Sequence, residues 1–234
     1  MNPTQFDDPG DLDGYPRTFA ADLEACRAAA VDAVFAPTAV EMYPEGAQTV
    51  VEVLELTRPL CGRTRPGHFN GVTTVVAKLL LAAKPHVAVF GEKDFQQLAV
   101  IRRMVRDLHV DVEIVSAPTV REDDGLALSS RNANLDREAR VQARVLVRAL
   151  DAAQQALAAG ERDAQALLGL VRAEIGKAPR AEIDYAELRD PQSLASAPSS
   201  LEGPTLLALA VFLRPAAGCE GAAVRLIDNR VLRP

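Results

Sequence analysis

Apolar residues recur along this chain in two rhythms, and the change between them falls near residue 119. In the first half, Val72, Val75, Val76, Leu79 and Leu80 keep the i, i+3, i+4, i+7, i+8 spacing of a one-sided helix. That spacing predicts a helix over 69–83, entered from the Pro66-Gly67 turn and ended at Lys84-Pro85, because a residue before proline is driven out of helical conformation. The next run, His86-Val87-Ala88-Val89-Phe90, reads as a buried parallel strand, and helical spacing returns over 98–108. Further extended runs are predicted at 31–36, stopped by Pro37, at 50–56 and at 110–116, and Thr18 is a candidate N-cap for a helix reaching about residue 30. Strands alternating with helices imply a parallel sheet with crossover connections.

After residues 118–120 the order of elements changes. Asp136 is placed to cap a long Ala- and Arg-rich helix running to about 158, Gly160 breaks it, and a second helix covers roughly 163–177. Three extended runs follow at 183–188, 206–213 and 222–227. Two helices and then three strands describe a small α+β unit with an antiparallel sheet. The pattern therefore predicts an α/β unit over residues 1–119 and a smaller α+β unit over residues 120–234.

Composition narrows the class. With 234 residues the chain can bury a core in one or two domains, and 48% hydrophobic with 25% charged residues fits a soluble globular protein. No apolar run approaches a membrane span, and residues 1–13 are too polar and acidic for a signal peptide. A net charge of −6 argues against a nucleic-acid surface, although Arg63 and Arg65 form a local basic loop suited to a phosphate or carboxylate. Cys26, Cys61 and Cys219 lack metal-ligand spacing and read as small apolar fillers in a reducing, cytoplasmic setting.

The candidate chemistry sits in two loops. Gly91-Glu92-Lys93-Asp94-Phe95-Gln96-Gln97 lies between a strand and a helix, at the carboxyl end of the sheet where open α/β folds bind ligands. It offers one amine, two carboxylates and two amides, which suits an anionic, hydroxylated substrate beside a nucleotide. It is not a G-x-x-x-x-G-K phosphate loop. A second loop, residues 123–132, adds Ser129, Ser130 and Arg131, groups that suit a polyphosphate. Each has a plainer reading in isolation. Lys93 fits a solvated turn, Gln97 a water-facing first helical turn, and Ser129-Ser130 a cap after Asp124-Gly125, though a cap has no need of Arg131. His68 suits the orientation of a loop, and Arg102, Arg103 and Arg106 a solvated helix face.

Six motifs occur in order: Asn2-Pro3-Thr4-Gln5-Phe6, Tyr15-Pro16-Arg17-Thr18, Arg65-Pro66-Gly67-His68-Phe69, Gly91-Glu92-Lys93-Asp94, Leu128-Ser129-Ser130-Arg131-Asn132 and Arg225-Leu226-Ile227-Asp228-Asn229. Together they span almost the whole chain, which resembles the pantothenate synthetases, or pantoate–β-alanine ligases. The resemblance implies a Rossmann-like nucleotidyltransferase sheet followed by a small α+β lid, in a cytoplasmic homodimer. It implies ATP-dependent joining of (R)-pantoate to β-alanine through pantoyl adenylate, with Mg²⁺ arriving on the nucleotide. On matching positions it places Gln5 and Gln97 on pantoate, and Gln5 also near β-alanine. It places Gly91, Glu92, Lys93, Asp94, Val120, Leu128, Ser129, Ser130 and Arg131 on ATP, with Lys93 as the catalytic cation. Asn2, Arg65 and His68 would line the pantoate side. The family's H-x-G-H motif lies before the segment matching Asn2, and His68, His86 and His109 do not form it. The expectation is therefore an N-terminally truncated synthetase, with the family's first strands upstream of Met1. Two rivals remain: a catalytically silent binding protein, and an adenylate-forming transferase that uses another acid.

Overall fold

The computed structural model describes residues 2–6, 18–216 and 221–234. Tyr15, Pro16, Arg17 and Cys219 therefore lie outside the described residues. A 3-10 turn at Pro3–Gln5 is followed by α1 (Phe19–Ala28) and two single turns, α2 (Ala39–Met42) and α3 (Cys61–Thr64). Next come α4 (His68–Ala83), β1 (Val87–Gly91), α5 (Phe95–Asp107) and β2 (Glu113–Ala117). Then α6 (Arg137–Ala143), α7 (Val145–Ala158) and α8 (Ala164–Ile175) lead into β3 (Ala181–Arg189), β4 (Thr205–Leu213) and β5 (Val224–Leu232).

Strands β1 and β2 pair in parallel, in a register that sets Gly91 opposite Ala117. The loop after each strand therefore leaves the sheet at the same edge. Helices α4 and α5 cover one face of the pair, burying Val72, Val76, Leu80, Val100, Ile101 and Met104 against Ala88, Phe90 and Ile114. The expectation of a fully buried strand fails on the other face. Val87 and Val89 are exposed, Val89 at 63%, because both packing helices lie on one side and no described residue covers the other.

The second sheet has the order β3-β4-β5, antiparallel throughout, as the three apolar runs predict. Strand β4 is central and apolar on both faces. Leu207, Leu209, Val211 and Leu213 pack under α6, α7 and α8, while Leu206, Ala208 and Ala210 face Tyr185, Leu194 and Leu60. The last strand continues to Leu232, five residues beyond the apolar run, and so takes in Asp228 and Asn229.

Three predicted elements differ from the observed ones. Residues 31–36 form no strand. Val31, Val34 and Phe35 are exposed and no described strand lies beside them, so an extended run there has no ladder to join. Residues 50–56 join no sheet, and 54–56 bend into a turn. Thr74 Oγ1 accepts from Val51 N (3.0 Å) and Thr73 Oγ1 donates to Val51 O, so hydroxyls of α4 replace the ladder. The predicted helix over 136–158 is two helices joined at Arg144. Ala143, Val145 and Leu146 are all fully buried, and a straight helix would turn positions 143 and 145 to opposite sides.

Asp136 caps α6 by accepting from Glu138 N (3.0 Å) and Ala139 N (2.9 Å), and it also accepts from Arg180 Nη1 (2.9 Å). The Arg180 hydrogen bonds, with those two N–H groups, hold its carboxyl at about 2, below the ~3.9 of an unfolded aspartate. A depressed carboxyl stabilises the fold fully above its unfolded value and loses that effect as pH falls through the folded value. Melting temperature should therefore drop between about pH 4 and pH 2. In Asp136→Asn, which keeps a cap but carries no charge, that part of the drop should disappear; equal acid sensitivity in both proteins would contradict it.

Candidate active site

The loop after β1 opens with a 3-10 turn, Glu92–Asp94, and passes straight into α5. This geometry separates two neighbouring glutamines. Gln96, 7% exposed, points inward: Nε2 donates to Leu56 O (2.9 Å) and Pro59 O (2.7 Å), and Oε1 accepts from Cys61 N (3.1 Å). The Gln97 side chain makes no hydrogen bond among the described residues, and it borders a cleft that Gln96 also lines. His68, Lys93 and Asp94 border the same cleft, and Asp228 and Asn229 of β5 close it. Its floor is apolar, from Leu60, Phe69, Leu206 and Ile227. Lys93 is the cation at the rim, its side chain 21% exposed and its Nζ 3.8 Å from Asp94 Oδ2.

Gln5 reaches this region through its backbone. His68 Nδ1 lies 2.7 Å from Gln5 O, and Arg65 Nη2 donates to the same carbonyl (3.1 Å). The Gln5 amide oxygen accepts from Asn2 Nδ2 (3.1 Å), which also donates to Gly71 O (3.1 Å), and Tyr43 O–H donates to Asn2 Oδ1 (2.8 Å). A β-carbon on Gly71 would stand 2.3 Å from Thr4 O, so the 3-10 turn rests on α4 only because that residue is glycine. The basic loop is spent on the protein itself: Arg63 pairs with Glu187 (2.6 Å) and Arg65 with Gln5.

The loop after β2 is a hairpin. Leu128 N donates to Val120 O (2.9 Å) and Glu122 N to Leu126 O (2.9 Å), and Gly125 supplies the positive φ of the turn at +88°. Arg140 bonds Glu122 and Asp124 beneath it, and Asn132 Nδ2 donates to Glu122 Oε1 (2.6 Å) and Ala127 O (3.1 Å). Ser129 Oγ accepts from Arg131 N (3.3 Å), so that hydroxyl does the capping that a plain turn requires. Val120 and Leu128 are exposed at the hairpin's mouth. Residues 128–131 do not line the cleft of Lys93 and Gln97; their turn packs beside β5 instead.

Two adjacent residues of β5 join the loops. Asp228 is wholly buried and accepts from both terminal nitrogens of Arg121 at the hairpin's base (2.7 and 2.9 Å), and this bonding raises the guanidinium's pKa further. Asn229 Nδ2 donates to Glu92 O (3.0 Å) and Lys93 O (2.8 Å). In the sequence, residues 225–229 stood as a motif with no role at the site. The available signal was the Asp228-Asn229 pair that directly follows the apolar pair Leu226-Ile227. Below the cleft, Arg225 bonds Asp184 (2.7 Å) and stacks over Tyr185, while burial pushes the Cys61 thiol and the Tyr185 hydroxyl upward.

Charged and amide-bearing loops at the carboxyl edge of a parallel sheet, walled by a small antiparallel sheet, define a nucleotidyltransferase-like α/β architecture. More specifically, the family model described as pantoate-beta-alanine ligase matches residues 1–231, and the chain belongs to that family. It is 51% identical over 234 residues to a pantothenate synthetase of Syntrophobacter fumaroxidans, covering all of this chain and 80% of the relative. A Geobacter sulfurreducens pantothenate synthetase is 50% identical over 232 residues, covering 99% and 79%. The crystal structure of pantothenate synthetase from Thermus thermophilus superposes with a TM-score of 0.91 at 43% identity, covering 100% and 81%. The pantoate-beta-alanine ligase of Francisella tularensis, complexed with beta-gamma ATP and beta-alanine, gives 0.75 at 31%, covering 99% and 76%.

The two glutamines make a direct test. Gln96→Ala removes the partner of three backbone groups and should cost about 2–3 kcal/mol in urea denaturation. Gln97→Ala should stay within about 0.5 kcal/mol of the parent. Equal costs would mean that Gln97 is held by the fold as firmly as Gln96.

Proposed function

We propose that this chain condenses (R)-pantoate with β-alanine at the expense of ATP. The pantoate carboxylate attacks the α-phosphorus, forming pantoyl adenylate and releasing pyrophosphate. The β-alanine amine then attacks the acyl carbon, and AMP leaves. The observation that carries this reading is that Lys93 and Gln97 face one cleft in a member of this family. The ammonium of Lys93 offsets negative charge gathering on the phosphates, and a donor aimed at developing charge is typically worth about 3 kcal/mol. The amide of Gln97 donates to a carboxylate while accepting from a hydroxyl, which suits a hydroxy acid. Gln5 serves the same acid and the incoming amine, with Arg65 and His68 fixing its backbone and Asn2 its side-chain amide. Gly91, Glu92 and Asp94 shape the nucleotide's seat, Val120 offers its backbone to the adenine, and residues 128–131 close over the triphosphate. There Ser129 and Ser130 supply hydroxyls and Arg131 a planar fork.

Magnesium held mainly by substrate phosphates needs only one or two protein carboxylates, and Asp94, half-exposed beside Lys93, fits that requirement. No group of three or more acidic, His or Cys ligands occurs among the described residues. Bound there with the nucleotide, the ion would supply charge neutralisation. A division into units at 1–119 and 120–234, a homodimeric assembly and a cytoplasmic location belong to the same reading. The switch from a parallel to an antiparallel sheet supports the first of these, and no described helix is long and apolar enough to cross a membrane.

ATP–pyrophosphate exchange tests the reaction. Exchange should require pantoate, and Lys93→Ala should depress it at least 100-fold while shifting melting temperature little. Exchange driven by another acid would assign a different transferase. Saturable ligand binding without exchange would assign a silent binding protein.

A further inference from the structure

Asn229 has a property that its place at the cleft wall does not require. Its two amide hydrogens are both spent on consecutive carbonyls, those of Glu92 and Lys93. Those carbonyls belong to the peptide planes on either side of the Lys93 α-carbon. A peptide plane is rigid, so fixing both planes fixes φ and ψ of Lys93 and the direction in which its side chain leaves the backbone. The anchor is itself anchored: the backbone N–H of Asn229 donates to Asp228 Oδ1 (2.8 Å), and Asp228 holds Arg121. In β4 the partners of Asp228 and Asn229 are Leu209 and Ala208, buried at the centre of the antiparallel sheet.

We propose that Asn229 is a positioning residue that aims the Lys93 ammonium, and that β5 sets the Lys93 turn and the 120–132 hairpin in a common frame. This deepens the proposed function and rests on its assignment of Lys93 to ATP. The dihedral constraint itself does not depend on that assignment. An aspartate at 229 would be isosteric but would turn a carboxylate oxygen toward two carbonyls, replacing attraction by repulsion.

The test compares Asn229→Asp, Lys93→Ala and their double variant in the full chain. Amide hydrogen exchange over 92–97 should accelerate at least tenfold in Asn229→Asp, with α7 and α8 unchanged. The Kd for ATP, measured by calorimetry, should weaken about tenfold. Added to Lys93→Ala, the second change should cost nothing more, since Asn229 acts through Lys93. Asp228→Asn, which keeps an Oδ1 acceptor for the Asn229 N–H but loses the charge that holds Arg121, should loosen 121–132 and leave 92–97 as they were. If the carboxylate prevents folding, Asn229→Ser, which has a single donor, is read in the same way. Uniformly faster exchange across the molecule would reduce Asn229 to a general stabiliser, and additive losses of ATP affinity would overturn its action through Lys93. If Lys93→Ala left ATP binding intact, the assignment of Lys93 would fail, while the exchange over 92–97 would still decide whether Asn229 fixes the turn.

Discussion

A carboxylate buried on a strand needs a cation and hydrogen-bond donors, and Asp228 obtains the first from the base of the hairpin and a further donor from its own strand. Arg121 supplies the charge in a bidentate geometry, and the neighbouring N–H of Asn229 supplies a further donor. Removing one member of such a pair typically costs about 3–5 kcal/mol, because the other charge is left buried and alone. The hairpin that carries Arg131 is therefore bound to β5 by an interaction the fold cannot lose cheaply. The turn that carries Lys93 is bound to the next residue of the same strand. Loops that leave the parallel sheet side by side are held in register by a strand that belongs to the other sheet.

Much of the architecture was legible because its cause is local. The apolar stripe of α4, the cap at Asp136, and the three strands of the antiparallel sheet are each written in consecutive residues. Elements that depend on distant partners were not legible. Residues 31–36 have the composition of a strand, but composition cannot supply a neighbour to pair with. The break at Arg144 arises because two surfaces compete for Ala143 and Val145, and helix propensity reports neither surface.

The site shows the same division. Lys93 and Gln97 could be placed from the strand–loop–helix pattern and the family motifs, and the cleft brings them together. The different fates of Gln96 and Gln97 follow from a rotation of about 100° along a helix, which a motif does not reveal until the helix start is known. Ser129 carries both of its readings at once, since its oxygen accepts from the Arg131 N–H and that bond does not use the hydroxyl hydrogen. Asp228 and Asn229 stood in a motif without a role because the apolar run ends at Ile227 while the strand does not.

Strand β4 has a consequence for how the molecule comes apart. Its odd-numbered leucines belong to the core under the helices, and its even-numbered residues roof the cleft floor around Leu60 and Tyr185. Neither layer can be stripped away without wetting the back of the other. The helical cap and the ligand cleft should therefore melt as one cooperative unit, so that losing α7 or α8 also dissolves the pocket they never touch.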